Sequence, residues 1–586
     1  MKSFVNRFVR SLIEREDHPE RTTDLGAVVC WILEHHGYEI HQYPYKYEGV
    51  EVRVGKGRLQ HGIDILAVKR DAQGVHSYRF VLKQGGMPSW PAGKPGSMPY
   101  DLFTAGALPV SQFETSYGIA PASMTLVAVH NGDRDKEKVG VLIEADLQRI
   151  RDRNDCKTEW WDAEKLTSLI MEVTDEDPTT GTSTALFTPR IQPFIRLALD
   201  SLRPERGRQG AGFDYAAIDT LLVPVRESET AARLERRVDE LGLLVALLEA
   251  ETERVANGNS LPVLETIERI LCAAMGRAVV VCPKIKRSLR RAFEALLKTY
   301  EVVAERLRAK LHAVAHHPTG LALPSRAEPI DYPSRLLRLS GYLAVAGLRM
   351  TQRGRPASAR RMAKTLALLW KNNASAAHTP LTDDQQIELL LVLELWTAAG
   401  RHPLVRRTCA KILHRLATRR ALGLPLPAVR LRSPLPMPRS DIATLVGAHR
   451  HLRSARMTFD DSASTLVPAL LYLNDRLGGS FDATARQQLL QGPPALSLQV
   501  WQPPTDAGNR WYTEAIEHDG NAFLMMRSAA STTPFADEFE EAAVAIDASM
   551  AERNKLAAVD RMGWKQTRTP PSMHFVVALA RQHIAT

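Results

Sequence analysis

Two neighbouring stretches decide how the N-terminal third of this chain folds: His61-Gly-Ile-Asp64-Ile-Leu-Ala67 and Tyr78-Arg-Phe-Val-Leu-Lys83-Gln84-Gly85. Residues 62–69 and 76–83 are rich in aliphatic and aromatic residues, and Asp71-Ala-Gln-Gly74 between them is typical of a turn. The pattern predicts a β-hairpin with Asp64 on one strand and Lys83 on the next. A carboxylate that can hold a divalent cation, beside a lysine that can stabilise phosphate charge, is suited to phosphodiester hydrolysis.

An amphipathic helix is predicted before the hairpin. Thr23 and Asp24 are candidate N-caps, and His35-His36-Gly37-Tyr38 ends the helix. A further strand is predicted over residues 50–54. Apolar residues recur along the helix at the three and four spacing of a buried face: Leu25, Val28, Val29, Ile32 and Leu33.

This order of elements resembles the restriction-endonuclease-like PD-(D/E)XK superfamily, and within it the Mrr-type nuclease domains. Those domains have a helix ending in Gly-Tyr, a G-x-D strand and an (E/Q)-x-K strand. By this resemblance, Asp64 matches the metal-binding aspartate and Lys83 the catalytic lysine. The likeness continues through a core strand at 124–132 and a strand followed by a helix at 159–170, so it covers roughly residues 20–175. It implies metal-dependent DNA cleavage, with Mg²⁺ as the cofactor.

The sequence departs from the family pattern at two positions. Val81 stands where the acid or glutamine two residues before the lysine is expected, and Gly26 stands where many of these domains have a glutamate. In this superfamily the following helix can supply the missing acid. We therefore expect Glu114 to complete the catalytic set with Asp64 and Lys83 and to share the metal with Asp64; Glu34 is a weaker candidate.

Length and composition set outer bounds on the protein class. At 586 residues the chain is long enough for two to four domains, and its 44% hydrophobic and 24% charged residues are ordinary values for a globular protein. The five cysteines are scattered without a C-x-x-C pair, so neither a disulfide framework nor a zinc ribbon is indicated. We find no secretion signal and no membrane-spanning apolar run, and expect a cytoplasmic protein that does not contact membranes.

Positive charge is concentrated in residues 332–440. This segment holds 19 Lys and Arg against four Asp and Glu, a net of +15 in a chain whose total is +10. Such a basic field attracts phosphates, and arginine suits bidentate phosphate contacts. The alternative is that these arginines decorate solvated helix faces. The predicted nucleic-acid contacts are Arg353, Arg355, Arg360, Arg361, Arg406, Arg407, Arg419 and Arg420.

The sequence predicts an α+β fold class: an N-terminal α/β restriction-endonuclease-like domain, a large α-helical, solenoid-like region and a mixed C-terminal domain. Turn-rich and proline-dense segments suggest the boundaries. The resulting segments are a nuclease-like domain at 1–175, a hinge at 176–213, a helical scaffold at 214–423, a proline-rich linker at 424–440 and a mostly helical domain at 441–586.

Helices in the scaffold are predicted from apolar residues at three and four spacing over 234–248, 261–275, 286–317, 334–350, 357–369, 384–399 and 404–421. In the last domain, helices are predicted over 462–476, 535–557 and 572–585, with a strand pair near 496–501 and 522–527. His312 and His316 fall at the end of a predicted helix, where histidines are common without metal. No P-loop motif is present, so no ATP site of that kind is expected.

Two functions remain open at the level of sequence. The first is a metal-dependent DNA endonuclease, and its resemblance suggests a component of a bacterial anti-phage defence or restriction system with protein partners. The second is a catalytically degenerate, nuclease-like subunit that binds DNA or acts as a scaffold. Asp64 and Lys83 favour the first function, whereas Val81 favours the second.

Overall fold

The computed structural model describes the chain in segments. The described residues are 2–12, 25–42, 63–83, 97–109, 114–132, 140–154, 156–176, 195, 198, 202, 213, 215–254, 260–282, 287–317, 328–380, 385–422, 426, 463–491, 497–501, 523–525, 562 and 573–584. The fold is α+β and mostly helical, with a mixed five-stranded sheet near the N-terminus. The chain divides into two compact units, Met1–Pro224 with Glu235–Gly258, and Val225–Leu234 with Asn259–Thr586.

The N-terminal sheet has the strand order β1-β2-β3-β4-β5. The first three strands pair antiparallel, and β3, β4 and β5 pair parallel. Parallel neighbours require crossover connections, and a helix lies in each of the two. The strands are β1 Glu39–Gln42, β2 Ile65–Asp71, β3 Gly74–Lys83, β4 Ser123–His130 and β5 Lys157–Trp161.

Five helices accompany this sheet. The helix α3 lies in the crossover from β3 to β4, and α4 lies in the crossover from β4 to β5. Both pack on one face of the sheet, in a buried apolar cluster that contains Val81 and Leu126. The helices are α1 Lys2–Ser11, α2 Leu25–His35, α3 Met98–Ala107, α4 Gly140–Asn154 and α5 Ala163–Glu176.

The predicted helix and hairpin are confirmed. The helix α2 ends before Gly37, whose φ of 78° is a left-handed conformation that glycine adopts without strain. At the hairpin turn, the Asp71 carboxylate accepts a hydrogen bond from the Gln73 backbone N–H at 2.7 Å. This bond, and then one from His76, lowers the pKa of Asp71. The strand predicted over 50–54 lies outside the described residues.

Long helices dominate the described residues from 215 to 422, and the seven predicted in the scaffold are confirmed with shifted ends. They are α7 Ala231–Arg254, α8 Leu261–Val281, α9 Arg287–Val314, α10 Glu328–Gln352, α11 Pro356–Asn372, α13 Gln386–Ala398 and α14 His402–Ala421. Two further helices were not predicted, α6 Tyr215–Arg226 and the short α12 Ala374–Ala377.

The helix α13 is the centre of the second unit. Every residue from Gln386 to Thr397 is buried, so this helix is surrounded by others rather than amphipathic. Its closest neighbour is α10, and a Cβ added at Gly347 of α10 would stand 2.8 Å from Leu395 Cδ1. The absence of a side chain at Gly347 therefore allows the two helices to cross closely.

The C-terminal part contains three helices and a three-stranded sheet among its described residues. The predicted strand pair is confirmed, since Ser497–Trp501 (β7) pairs antiparallel with Phe523–Met525 (β8). The remaining elements are β6 Ala463–Ser464, α15 Leu466–Arg476, α16 Ala483–Gln491 and α17 Met573–Ile584. The helix predicted over 535–557 lies outside the described residues, as does most of the predicted hinge and linker. None of the described helices is both long and apolar enough to cross a membrane.

Candidate functional site

Asp64 is held at the point where β2 begins, against the end of β3. Its backbone N–H donates to the Phe80 carbonyl at 2.8 Å, and its carboxylate Oδ2 accepts from the Leu82 backbone N–H at 2.7 Å. The ladder between the two strands ends at the pair of Ile65 with Phe80, so Asp64 directly precedes the first residue of β2. Lys83 is the last residue of β3 and directly follows Leu82, whose N–H binds the Asp64 carboxylate. Asp64 therefore lies just before β2 and Lys83 at the end of β3, and the expectation that they form one catalytic site stays a prediction.

Lys83 forms an ion pair with a carboxylate that the sequence analysis did not select. Its Nζ lies 3.0 Å from Asp101 Oδ2, and the two side chains are only 21% and 15% exposed. Asp101 is in the first turn of α3, which begins after Ser97, whose hydroxyl accepts from the Tyr100 N–H. A carboxylate in that position is favoured by the helix dipole. We name the three residues Asp64, Lys83 and Asp101 the hairpin site.

Glu114 is not part of the hairpin site. Its Oε1 accepts from Arg79 Nε at 2.7 Å and from Ser77 Oγ at 3.2 Å, and its Oε2 accepts from Arg79 Nη2 at 2.6 Å. Both charged side chains are completely buried. Arg79 precedes Lys83 by four residues of strand, which is about 13 Å at 3.3 Å per residue. The expectation that Glu114 shares a cation with Asp64 does not fit this arrangement, because both of its oxygens are bound to Arg79.

The buried arginine explains the placement of Glu114. Arg79 Nη1 also donates to the carbonyls of Ala105 and Leu108, at 2.7 and 2.8 Å. The guanidinium thus ties the end of α3 and the short 3₁₀ helix Glu114–Tyr117 to the middle of β3. A bidentate ion pair with further hydrogen bonds to carbonyls is the arrangement that makes a buried charge tolerable. Glu114 therefore has a structural role.

Val81 is a core residue. It is fully buried in the apolar cluster that includes Ile63, Met98 and Leu102. Val81 occupies the position where the Mrr-type domains that the sequence resembles carry an acid or glutamine. In this chain that position faces the apolar core beneath α3. Asp101, on that same helix, is the carboxylate beside Lys83 instead.

A buried histidine adjoins the site on the next strand. His130, at the end of β4, is the register partner of Lys83. Its Nε2 accepts from Trp160 Nε1 at 3.0 Å. The following residue, Asn131, donates its side-chain amide to the carbonyls of Val9 and Leu12 and so fastens the end of α1 beside the site. In the sequence, His130 and Asn131 are visible only as the end of a predicted buried strand. That pattern does not reveal which residues they contact.

The donors at the hairpin site are oxygens that suit a hard cation. Among the described residues, no group of three or more His, Cys, Asp or Glu side chains is arranged to hold a metal ion. Mg²⁺ in phosphoryl-transfer sites is commonly held by one or two carboxylates together with waters and substrate phosphates. Asp101 pairs with Lys83, and Asp64 accepts from the neighbouring Leu82 N–H, so these two carboxylates are the candidates for that mode of binding.

Three of the arginines predicted to contact nucleic acid pair with acids of another helix. Arg353 and Arg355 both pair with the buried carboxylate of Glu301, at 3.3 and 3.0 Å, and Arg361 pairs with Glu305 at 3.5 Å. Both acids lie on α9, outside the segment whose charge was counted. These three arginines therefore bind helix α9 and are poorly placed to contact phosphates.

The other predicted arginines differ in exposure. Arg419 is buried, and this burial lowers the pKa of its guanidinium, so it is not a surface phosphate contact. Arg420 is half-buried, whereas Arg360, Arg406 and Arg407 are exposed. Only these last three fit the predicted role within the part of the chain that the structure describes.

His378 provides a pH-dependent contribution to stability in the helical unit. Burial, and then the charges of Arg415 and Lys411, lower its pKa from 6.5 to about 4. The unfolded chain therefore binds more protons than the folded chain between these values, and stability falls as the pH drops below 6.5. From this shift we expect a loss of about 2 kcal/mol at pH 5 relative to pH 7.5.

The measurement for this prediction is urea unfolding of the parent and of His378→Gln at both pH values. The variant lacks the titrating ring, so its loss between pH 7.5 and pH 5 should be smaller than that of the parent. Equal losses would contradict the lowered pKa. Titration of the His378 ring by NMR gives the same answer directly.

No protein-family model, no curated protein and no solved structure is significantly similar to this chain. A function for it therefore has to be argued from the geometry of the hairpin site and from the distribution of charge.

Proposed function

We propose that the N-terminal unit is a metal-dependent DNA endonuclease of the restriction-endonuclease-like kind. The observation that carries the proposal is the hairpin site: Lys83 paired with Asp101, and Asp64 fixed by the Leu82 N–H beside them. The helix, the antiparallel hairpin and the following helix and strand also have the order that the sequence resemblance implies.

In this proposal Asp64 and Asp101 would hold Mg²⁺. When bound, the cation supplies Lewis-acid activation of the scissile phosphate and of water. Lys83 donates to a non-bridging phosphate oxygen and stabilises the charge that develops there. For this its ammonium must exchange the contact with Asp101 for one with the phosphate, and their remaining exposure leaves the pair accessible from solvent.

A specific observation favours the alternative of a DNA-binding or scaffolding subunit. Val81 is a fully buried core residue, so the strand itself contributes no second acid. In that alternative, the pair of Lys83 and Asp101 is a structural ion pair between β3 and α3. A DNA-cleavage assay separates the two functions.

The assay uses the full chain with supercoiled and linear DNA in Mg²⁺, in Mn²⁺ and in EDTA. The endonuclease proposal predicts cleavage in either metal and none in EDTA. If the chain binds DNA but leaves it intact in both metals, the scaffolding function is the correct one. We also propose that the chain works with protein partners in a defence system. This part is tested by asking whether DNA cleavage requires a protein that co-purifies with the chain.

A further inference from the structure

An open recess in the helical unit gathers cationic side chains from two helices. It has a volume of about 810 Å³ and lies among the end of α9, one face of α11, α12 and the start of α14. A recess of this size is in the range of small-molecule sites, about 300–1,000 Å³. Its walls carry five lysines and arginines and no carboxylate: Lys364, Lys371, Arg401, Arg407 and Lys411. We name these residues the recess cations.

Helix periodicity brings these cations to one place. Lys364 and Lys371 are seven residues apart on α11, and Arg407 and Lys411 are four apart on α14, so each pair lies on one helix face. Arg401 is at the N-cap of α14. Four of the five side chains are exposed and Arg401 is half-buried. Their charged groups are thus able to meet a ligand in the recess.

The recess cations differ from the neighbouring arginines in their partners. Arg353, Arg355 and Arg361 form ion pairs with acids of α9. Among the described residues, no Asp or Glu oxygen lies within 4 Å of a charged nitrogen of any recess cation, which contrasts with those pairs. The recess therefore gathers five cations of the basic segment that lack such acidic partners among the described residues.

The rest of the lining adds apolar surface and imidazoles. Trp370 and Trp396 are buried beneath the recess and pack edge to face, with ring centroids 5.2 Å apart. Both indole N–H groups are already used, by Ser340 Oγ and by the Ala363 carbonyl. His312 and His316 also line the recess. The depressed pKa of His378, to which Lys411 contributes after burial and Arg415, shows the same positive field.

We propose that this recess binds a small phosphate-bearing ligand of nucleotide size. Five cations without acidic partners attract a compact polyanion, and arginine and lysine are the side chains that proteins use for phosphate. A DNA duplex spreads its charge along its axis, at one charge per about 1.7 Å, whereas these cations surround a hollow. The contacts would come from side chains on helices, so this site differs from the P-loop that the sequence lacks. The proposal is independent of the nuclease function, because every residue in it belongs to the second unit.

The test is calorimetric titration of the full chain with ATP, inorganic tripolyphosphate and adenosine. ATP and tripolyphosphate are expected to bind and adenosine is not, because phosphate charge drives the interaction. Lack of binding by both phosphate probes at millimolar concentration would overturn the proposal. Equal binding by adenosine would also overturn it.

A matched pair of variants locates the site. Lys364→Gln with Arg407→Gln removes two recess cations and should weaken tripolyphosphate binding at least 10-fold. Arg360→Gln with Arg406→Gln removes the same charge from the same two helices, at exposed positions outside the recess. This control should change the affinity for tripolyphosphate less than twofold. Circular dichroism and thermal unfolding verify that both variants fold. If both variants weaken tripolyphosphate binding equally, the attraction is diffuse and the recess is not a specific site. If neither variant weakens it, the recess does not bind the ligand.

A short DNA duplex distinguishes the remaining possibility. If the duplex displaces tripolyphosphate, and the recess variant loses affinity for duplex while it keeps affinity for ATP, then the recess is a DNA contact and the small-ligand proposal is wrong. If the recess variant loses affinity for ATP and tripolyphosphate but keeps its affinity for the duplex, the proposal stands.

Discussion

Replacing Glu114 by Gln is expected to destabilise the N-terminal unit by about 3–5 kcal/mol, since it leaves the buried guanidinium of Arg79 without a counter-charge. Such a loss is a large part of the stability of a typical domain. The effect should appear as a lowered denaturant midpoint. Unfolding of this unit can be monitored by the fluorescence of Trp160 and Trp161.

A double variant separates charge from packing. Arg79→Met with Glu114→Leu removes both charges and keeps apolar volume, so it should recover a substantial part of the loss. If Glu114→Gln unfolds like the parent, the pair does not hold α3 to the sheet, and a functional role for Glu114 has to be reconsidered.

Replacing Asp101 by Asn is expected to slow metal-dependent DNA cleavage by at least about 10-fold, since even the loss of a residue that only orients a metal ligand costs that much. The side chain keeps its size, but Lys83 loses its ionic partner and the site loses a carboxylate. Cleavage is measured under single-turnover conditions, so that the chemical step is compared.

The matched control is Asp152→Asn, at an exposed position on α4 whose carboxylate accepts only from Gln148 among its described contacts. It should cleave like the parent. If Asp101→Asn also cleaves at the parental rate, Asp101 only positions β3 against α3, and the metal would have to be held without it.

Local patterns were sufficient to predict much of the fold. The helix α2 and the hairpin followed from apolar spacing and from turn residues such as Asp71 and Gly74, since both elements are decided by neighbours in sequence. The scaffold helices followed from the same spacing. The tertiary partners of charged residues did not, because Arg79 and Glu114 are 35 positions apart and nothing in either stretch identifies the other.

Asp101 was missed although a signal for it existed. Ser97 before Met98-Pro99, with an acid in the first turn, is a helix start that the sequence displays. It was overlooked because the glycine- and proline-rich residues 85–96 separate it from the hairpin. The charge count was misleading for a related reason, since Glu301 and Glu305 lie outside the basic segment and form ion pairs with three of its arginines.

The central claim is that Asp64 and Lys83 form a catalytic site, and the single-turnover rate of DNA cleavage by Asp64→Asn and by Lys83→Met tests it most directly. Each variant is compared with the parent and with Lys165→Met, an exposed lysine on α5. The account predicts that both site variants lose about 10²–10³-fold in rate, as expected when charge stabilisation in a reaction is removed, while Lys165→Met cleaves like the parent. Cleavage at the parental rate by both Asp64→Asn and Lys83→Met would contradict it.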